Sequence, residues 1–343
     1  MELNNIKKIL VINLGGIGDL LLSQPALRAL RQQYKGAVID VLLVERAARL
    51  VGDYRIFDNI FIFRKNIFAL SGLLLKLRKN KYDLAINMRT MLSWQSALKM
   101  FFVFKFISPK ASMGRDTQNR GFFFDLKVPE KDLGEKYEME YDIDTVNALG
   151  IYLKDKKIEF APDQEAQNNI DGILSGCGVS GADIVIGIHP GGMPSRRWPI
   201  ENFGEVMRQV SAKFDCKFII TGSREEGYLA KRLAGVSGAK VIDLSGRLNT
   251  QELLFLIKRC RVFISCDTGP MHMAAALGIP QIALFGPGDI TRFDPRNISG
   301  KAIVFYNRTA CAPCSKFKCA SLKCLKMIKP EEVVNACFSL LKA

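Results

Sequence analysis

At 343 residues the chain is about twice a typical domain, long enough for two units that each bury a core without disulfide or metal staples. Its 48% hydrophobic and 9% aromatic content is that of a globular protein, and a polar stretch at residues 1–8 leading straight into a strand argues against a signal peptide. A formal net charge of +15 points to an anionic partner; without an RNA-binding aromatic signature, helix-turn-helix pattern or basic arm, nucleic acid falls behind phosphorylated substrates and acidic lipid.

Apolar runs predict a strand at residues 9–14, then the turn Gly15-Gly16-Ile17-Gly18 and a helix to about Tyr34. Strands follow at 38–44, 59–63 and 84–87. The apolar runs 70–77 and 100–107 contain lysine or are too short to span a bilayer, so the expected location is cytoplasmic, with contact to a membrane surface left open. From Met113 to Asp163 the pattern breaks up, and a domain junction is expected near 160–180, where Ala161-Pro162-Asp163 and Ser175-Gly176-Cys177-Gly178 interrupt it.

The second half restarts the rhythm, with strands at 184–189, 217–221, 240–244, 262–265 and 281–285. Helices are predicted after Pro199 and at 225–234, 250–259 and 271–277. Alternating strands and helices in both halves predict an α/β protein of two Rossmann-like domains, 1–168 and 169–329, whose parallel sheets face across a cleft. A final helix, 330–343, would pack back on the body.

Asp19 lies at the start of the first helix, where the dipole favours a carboxylate. It fits two roles there: a helix cap, or a base that accepts a proton from a hydroxyl. A dinucleotide fingerprint aligned on Gly16 and Gly18 fails, because it requires glycine where Leu21 stands. The only two histidines, His189 and His272, both follow strands of the second half. His189 opens His-Pro-Gly-Gly, followed by Ser195-Arg196-Arg197-Trp198-Pro199; two adjacent guanidinium groups beside a helix start suit a diphosphate. His272 closes Asp267-Thr268-Gly269-Pro270-Met271-His272, where backbone N–H groups and a hydroxyl can donate to phosphate.

Three blocks in this order resemble glycosyltransferase family 9, the heptosyltransferases: residues 18–27 (GDLLLSQPAL), 189–199 (HPGG to RRWP) and 267–280 (DTGPMHMAAALGIP), the last running on to ALFGP at 283–287. The resemblance implies a GT-B fold and inverting transfer of a sugar, by default heptose from ADP-heptose, onto an anionic lipopolysaccharide inner-core acceptor. Carried onto this chain, Asp19 is the base, and Thr268, Gly269 and His272, with Arg196 and Arg197, hold the donor diphosphate. Glu225 or Glu226 binds the ribose, with His189 and Asp267 on the nucleotide side. Gly18, Arg89, Arg115 and Arg120 are the leading acceptor candidates, followed by Arg64 and Lys65. The family commonly has lysine where this chain has Arg196, which keeps the charge and changes the fork geometry.

No acidic pair for a catalytic metal is evident, and no cofactor is required. Cys311, Cys314, Cys319 and Cys324 are dense enough for a structural zinc site or a redox staple, with free packed thiols as the alternative. Residues 297–330 hold seven lysines and arginines and no acid, a candidate contact for the membrane bearing a lipid-linked acceptor. A monomer is the simplest expectation. An NAD(P)-dependent oxidoreductase and a non-catalytic sugar-nucleotide or lipid binder remain the competing classes.

Overall fold

The computed structural model describes residues 6–51, 56–64, 66–131, 134–161, 163–314 and 316–342, so Lys65 and Pro162 lie outside the described residues. The chain divides into two compact units, Met1–Ala161 and Pro162–Ala343.

The first unit runs β1 (Lys8–Asn13), α1 (Ile17–Gln33), β2 (Val38–Val44), α2 (Glu45–Val51), β3 (Asn59–Phe63), α3 (Ile67–Lys79), β4 (Leu84–Asn87), α4 (Trp94–Ile107), β5 (Ala111–Thr117), β6 (Leu126–Glu130) and α5 (Glu138–Asn147). Its six strands are all parallel, in the order β3-β2-β1-β4-β5-β6. The central strand β1 is a near-continuous apolar run buried after its first residue, as expected where helices cover both faces.

The second unit opens with α6 (Gln164–Gly176) and β7 (Ile184–His189), followed by α7 (Ile200–Ser211), β8 (Cys216–Ile220), α8 (Gly227–Ser237), β9 (Val241–Asp243), α9 (Thr250–Arg259), β10 (Val262–Cys266), α10 (Gly269–Ala276) and β11 (Gln281–Phe285). It closes with α11 (Ile290–Phe293), β12 (Ala302–Tyr306), α12 (Lys323–Lys326) and α13 (Pro330–Lys342). Its sheet, β12-β11-β10-β7-β8-β9, repeats the first sheet's order and is again parallel throughout. In each unit the first strand and the fourth are neighbours, and the chain winds outward from them in opposite directions. The crevice at the carboxyl ends of those two strands is where open α/β sheets bind ligands.

Two expectations are corrected here. The stretch from Met113 to Asp163 is not irregular: it holds most of β5, all of β6 and α5. β5 (ASMGRDT) escapes a hydropathy reading because its interior is Gly-Arg-Asp, with Arg115 buried through ion pairing rather than by apolarity. β6 contains Pro129, which an edge strand tolerates. The expected break at 160–180 is α6, capped by Asp163, whose side chain accepts the Ala166 N–H at 2.9 Å. The division between units therefore falls before α6, not inside it at 168.

Candidate active site

In the first unit the switch point lies between β1 and β4. The Asn13 side chain at the end of β1 donates to Ser23 Oγ at 2.9 Å and accepts the Gly15 N–H at 3.2 Å, which turns the chain into α1. The next amide, Gly16 N–H, donates to Asp19 Oδ2 at 2.6 Å. A side chain at Gly15 would bring a Cβ within 2.5 Å of Asp19 Cβ, so the tight approach of loop and carboxylate depends on glycine. The other Asp19 oxygen, Oδ1, accepts from Arg89 Nη1 at 2.6 Å, just past the end of β4. Both side chains keep a solvent-facing portion, 17% for Asp19 and 23% for Arg89. Asp19 thus orders the start of α1 from its third position, accepting the N–H of the cap residue Gly16, and its carboxylate stands part-exposed at the switch point.

Behind this pair lies a buried network. Arg115 on β5 is fully buried and gives a bidentate pair to Glu130, Nε to Oε2 at 3.1 Å and Nη2 to Oε1 at 3.0 Å. Its Nη1 donates to Glu138 Oε1 at 2.8 Å, and Asp142 Oδ1 stands 3.5 Å away. Glu138 also pairs with Arg89 at 3.3 Å, which joins the network to Asp19. Asp142 accepts from Ser23 Oγ at 2.6 Å. Burial raises the Asp142 carboxyl to about 7, with Arg115 opposing and Glu138 assisting the shift. Arg89 is held above its ordinary range: burial works against its charge, but Asp19, Glu138 and Asp142 outweigh it.

The acceptor candidates therefore separate. Arg115 has no exposed surface and cannot touch a substrate; it positions Arg89 through Glu138. Arg89 faces the crevice, bound to the base candidate itself. Arg120 is anchored to the Met91 carbonyl at 2.9 Å in the turn after β5, Gly18 is buried in the first turn of α1, and Arg64 is exposed beyond β3. Glu130, Glu138 and Asp142 were missed from the sequence. The one signal for them is the four-residue spacing of Glu138 and Asp142, which sets both on one face of α5.

In the second unit the switch point lies between β7 and β10, and pairing of His189 with Ser265 brings the two histidine loops side by side. His189 is buried, with Nδ1 2.9 Å from Thr221 Oγ1. Burial lowers its pKa to about 4, against the pull of Glu226 and with the help of Arg197, so the ring is neutral near pH 7 and is no phosphate-binding cation. The neighbouring loop is tied down by Glu226, which accepts the Gly192 N–H at 2.6 Å, the Ser223 N–H at 2.9 Å and Arg197 Nη2 at 3.0 Å. Arg197 also donates to the Gly192 carbonyl at 2.8 Å and to Tyr228 Oη at 2.6 Å. Arg196 pairs with the buried Asp267 at 2.8 Å. Each guanidinium thus carries its own carboxylate, so the positive charge offered to a ligand is smaller than the bare Arg-Arg pattern implied. Glu225 is exposed, unlike Glu226.

Trp198 is a structural wedge. It is 2% exposed, its indole N–H donates to the Ile328 carbonyl at 3.2 Å, and its ring meets Phe203 edge-on at 5.0 Å. At α10 the Thr268 side chain does not cap the first turn: its Oγ1 donates to the Cys266 carbonyl at 3.2 Å instead. His272 follows within that helix, buried and edge-on to Phe293.

Gly192 sits at φ +104, and a Cβ there would collide with Thr268 Cγ2, so this residue brings the loop after β7 against the start of α10. Gly192→Ala is expected to lower stability by about 1–3 kcal/mol from backbone strain and the displaced loop. Urea unfolding followed by circular dichroism checks it, and an unchanged midpoint would show that the loop relaxes freely.

The cysteine segment packs onto the same loops, Ser195 N–H donating to the Phe317 carbonyl at 3.1 Å and Cys314 N–H to the Pro287 carbonyl at 2.8 Å. All nine cysteines are free; Cys311 is exposed and Cys324 buried. Among the described residues no three His, Cys, Asp or Glu side chains are grouped to hold a metal ion. No helix among them is long and apolar enough to cross a membrane.

The model of glycosyltransferase family 9 (heptosyltransferase) matches residues 72–325. Lipooligosaccharide heptosyltransferase 2 of Campylobacter jejuni is 25% identical over 334 residues, covering 95% of this chain and 96% of that one. Among solved structures, a glycosyl transferase family 9 protein from Veillonella parvula superposes with a TM-score of 0.81 at 21% identity, covering 100% of this chain and 99% of its own. The ADP-heptose lipopolysaccharide heptosyltransferase II of E. coli superposes with a TM-score of 0.75 at 23% identity, covering 97% and 98%. The fold is thus α/β of the GT-B class, two Rossmann-like sheets with their helices.

Proposed function

The chain belongs to glycosyltransferase family 9, and from that membership we propose that it transfers heptose from ADP-heptose to an anionic, lipid-linked lipopolysaccharide core acceptor with inversion at the anomeric carbon. The observation that carries the reading is Asp19: a part-exposed carboxylate at a switch point, each oxygen held by one donor. In the single displacement the acceptor oxygen bonds to the anomeric carbon as the bond from that carbon to the diphosphate oxygen breaks, and the hydroxyl proton passes to Asp19. Arg89 holds the carboxylate of Asp19 in place, aimed to take the proton as the new bond forms.

The second unit holds the donor in this reading. The N–H groups at the start of α10, with Thr268, Gly269 and His272, receive the diphosphate, and Arg196 and Arg197 face its charge. Glu225 is the freer carboxylate for the ribose, with His189 and Asp267 shaping the loops around the nucleotide. Arg89 and Arg120 are the cations nearest in role to the acceptor, with Gly18 in the turn beside them. No catalytic metal enters the scheme. A structural zinc on Cys311, Cys314, Cys319 and Cys324 is a separate proposal, decided by metal analysis of the purified protein. The enzyme is taken to act as a monomer on the cytoplasmic side, with residues 297–330 touching the membrane.

Calorimetric titration with ADP-heptose, ADP, UDP-glucose, GDP-mannose and NADH tests the reading. Micromolar binding confined to the two adenosine diphosphate ligands is the expected result. Preference for another sugar nucleotide would keep the fold and change the substrate, and binding of NADH alone would overturn the transfer chemistry.

A further inference from the structure

The helices α3 and α4 are apolar on the side that ordinarily faces water. Their inward residues, including Leu77, Ala97, Phe104 and Ile107, already fill the core of the first unit. Yet Trp94, Leu98 and Phe102, four residues apart and so along one face of α4, are 55%, 48% and 66% exposed. Phe122, from the connection between β5 and β6, extends this stripe; its ring centroid lies 6.4 Å from that of Trp94 and 5.6 Å from that of Phe101. On α3, Phe68 is 84% exposed and Leu75 51%. The two helices are joined where Arg78 Nη1 donates to the Phe106 carbonyl at 2.9 Å and the guanidinium lies over that ring. A surface helix normally turns polar residues outward, and so continuous an exposed apolar face marks an interaction site.

Charge identifies what covers it. Together α3 and α4 carry five lysines and arginines and no acid. A second copy of this chain would press two such cationic faces together, whereas an anionic bilayer accepts the aromatic and leucine side chains at its interface and the cations at its headgroups. We propose that the α3–α4 face, with Trp94, Leu98 and Phe102 at its centre, is the docking surface for an anionic membrane. This deepens the membrane contact named above and moves its main anchor away from residues 297–330. It can be read without donor or acceptor, so its failure would leave the transfer chemistry standing.

The test is flotation of the purified full chain with vesicles of phosphatidylcholine, with or without phosphatidylglycerol. Trp94 serves as the reporter, because the other tryptophan, Trp198, is buried in the second unit. The expected result is co-flotation with the anionic vesicles, a blue shift in emission, and partitioning at least about tenfold weaker onto neutral vesicles. The double variant Leu98→Ser/Phe102→Ser should lose about tenfold or more in partitioning with its circular dichroism and melting unchanged. Absence of wild-type binding, or undiminished binding by that variant, would overturn the proposal. So would loss of binding in Lys316→Glu/Lys318→Glu alone, which would assign the contact to residues 297–330. A dimer in light scattering that Leu98→Ser/Phe102→Ser dissolves would instead assign the face to self-association and overturn it as well.

Discussion

Asp19→Asn is expected to lower the rate of sugar transfer by roughly 10²–10⁴-fold while leaving the affinity for ADP unchanged. Asparagine keeps the shape and can still accept from one of the two donors, Gly16 N–H or Arg89 Nη1. It cannot take a proton, and its NH2 must face whichever donor its oxygen does not serve. The attendant loss of stability should be about 1–2 kcal/mol, too small to unfold the unit. Since the proposed donor contacts lie in the other unit, calorimetry with ADP separates lost chemistry from lost folding. Full turnover by this variant would reduce Asp19 to an anchor of the loop before α1. Arg89→Gln gives an independent readout: with one of its two donors lost the carboxylate is no longer fixed in aim, so kcat should fall by roughly tenfold or more while the affinity for ADP is unchanged. Unchanged kcat in this variant would show that the Gly16 N–H alone holds Asp19 in place.

The strands that carry the switch points were legible because they are buried on both faces. β2, β4, β7 and β11 coincide with the apolar runs that predicted them, and so does the edge strand β3, which buries only Phe61. The loops after them were legible because glycines, the two histidines and Asp19 cluster there, and the family's motifs fall on the same residues. What stayed hidden depends on partners distant in sequence. β5 looks irregular until Glu130, fifteen residues on, and Glu138, twenty-three residues on, neutralise Arg115. Arg115 had the features of a substrate-binding cation, but no local pattern shows that three buried carboxyl groups surround it. Likewise Arg196-Arg197 reads as paired free charge until Asp267 and Glu226 fold back onto it. Residue types predict where chemistry collects; whether a charge is spent internally is settled by topology.

The buried network makes its own prediction. Arg115→Met should destabilise the first unit by about 3–5 kcal/mol, because it leaves Glu130, Glu138 and Asp142 enclosed without the guanidinium that all three face. Methionine restores much of the volume, so the loss reflects uncompensated carboxylates more than a cavity. The effect must then depend on pH, and its sign follows from linkage. Without its cation, the Asp142 carboxyl, already raised by burial, moves further above the value near 4 of the unfolded chain. The folded state therefore takes up protons, and stability present at low pH is lost as pH rises through the raised value. Asp142, at about 7 even with Arg115 in place, already behaves in this way. Urea titrations followed by Trp94 emission should show a larger deficit for Arg115→Met at pH 8 than at pH 6. Adding Glu138→Gln should return part of it by removing one enclosed charge. A deficit independent of pH would mean that packing against Tyr141, whose ring lies 4.5 Å from the guanidinium, accounts for Arg115 instead. The same titration bears on catalysis, because Glu138 is the group that Arg115 and Arg89 share. If the network positions the base, Arg115→Met should lower kcat even at pH 6, where the fold is largely recovered, and leave ADP binding intact.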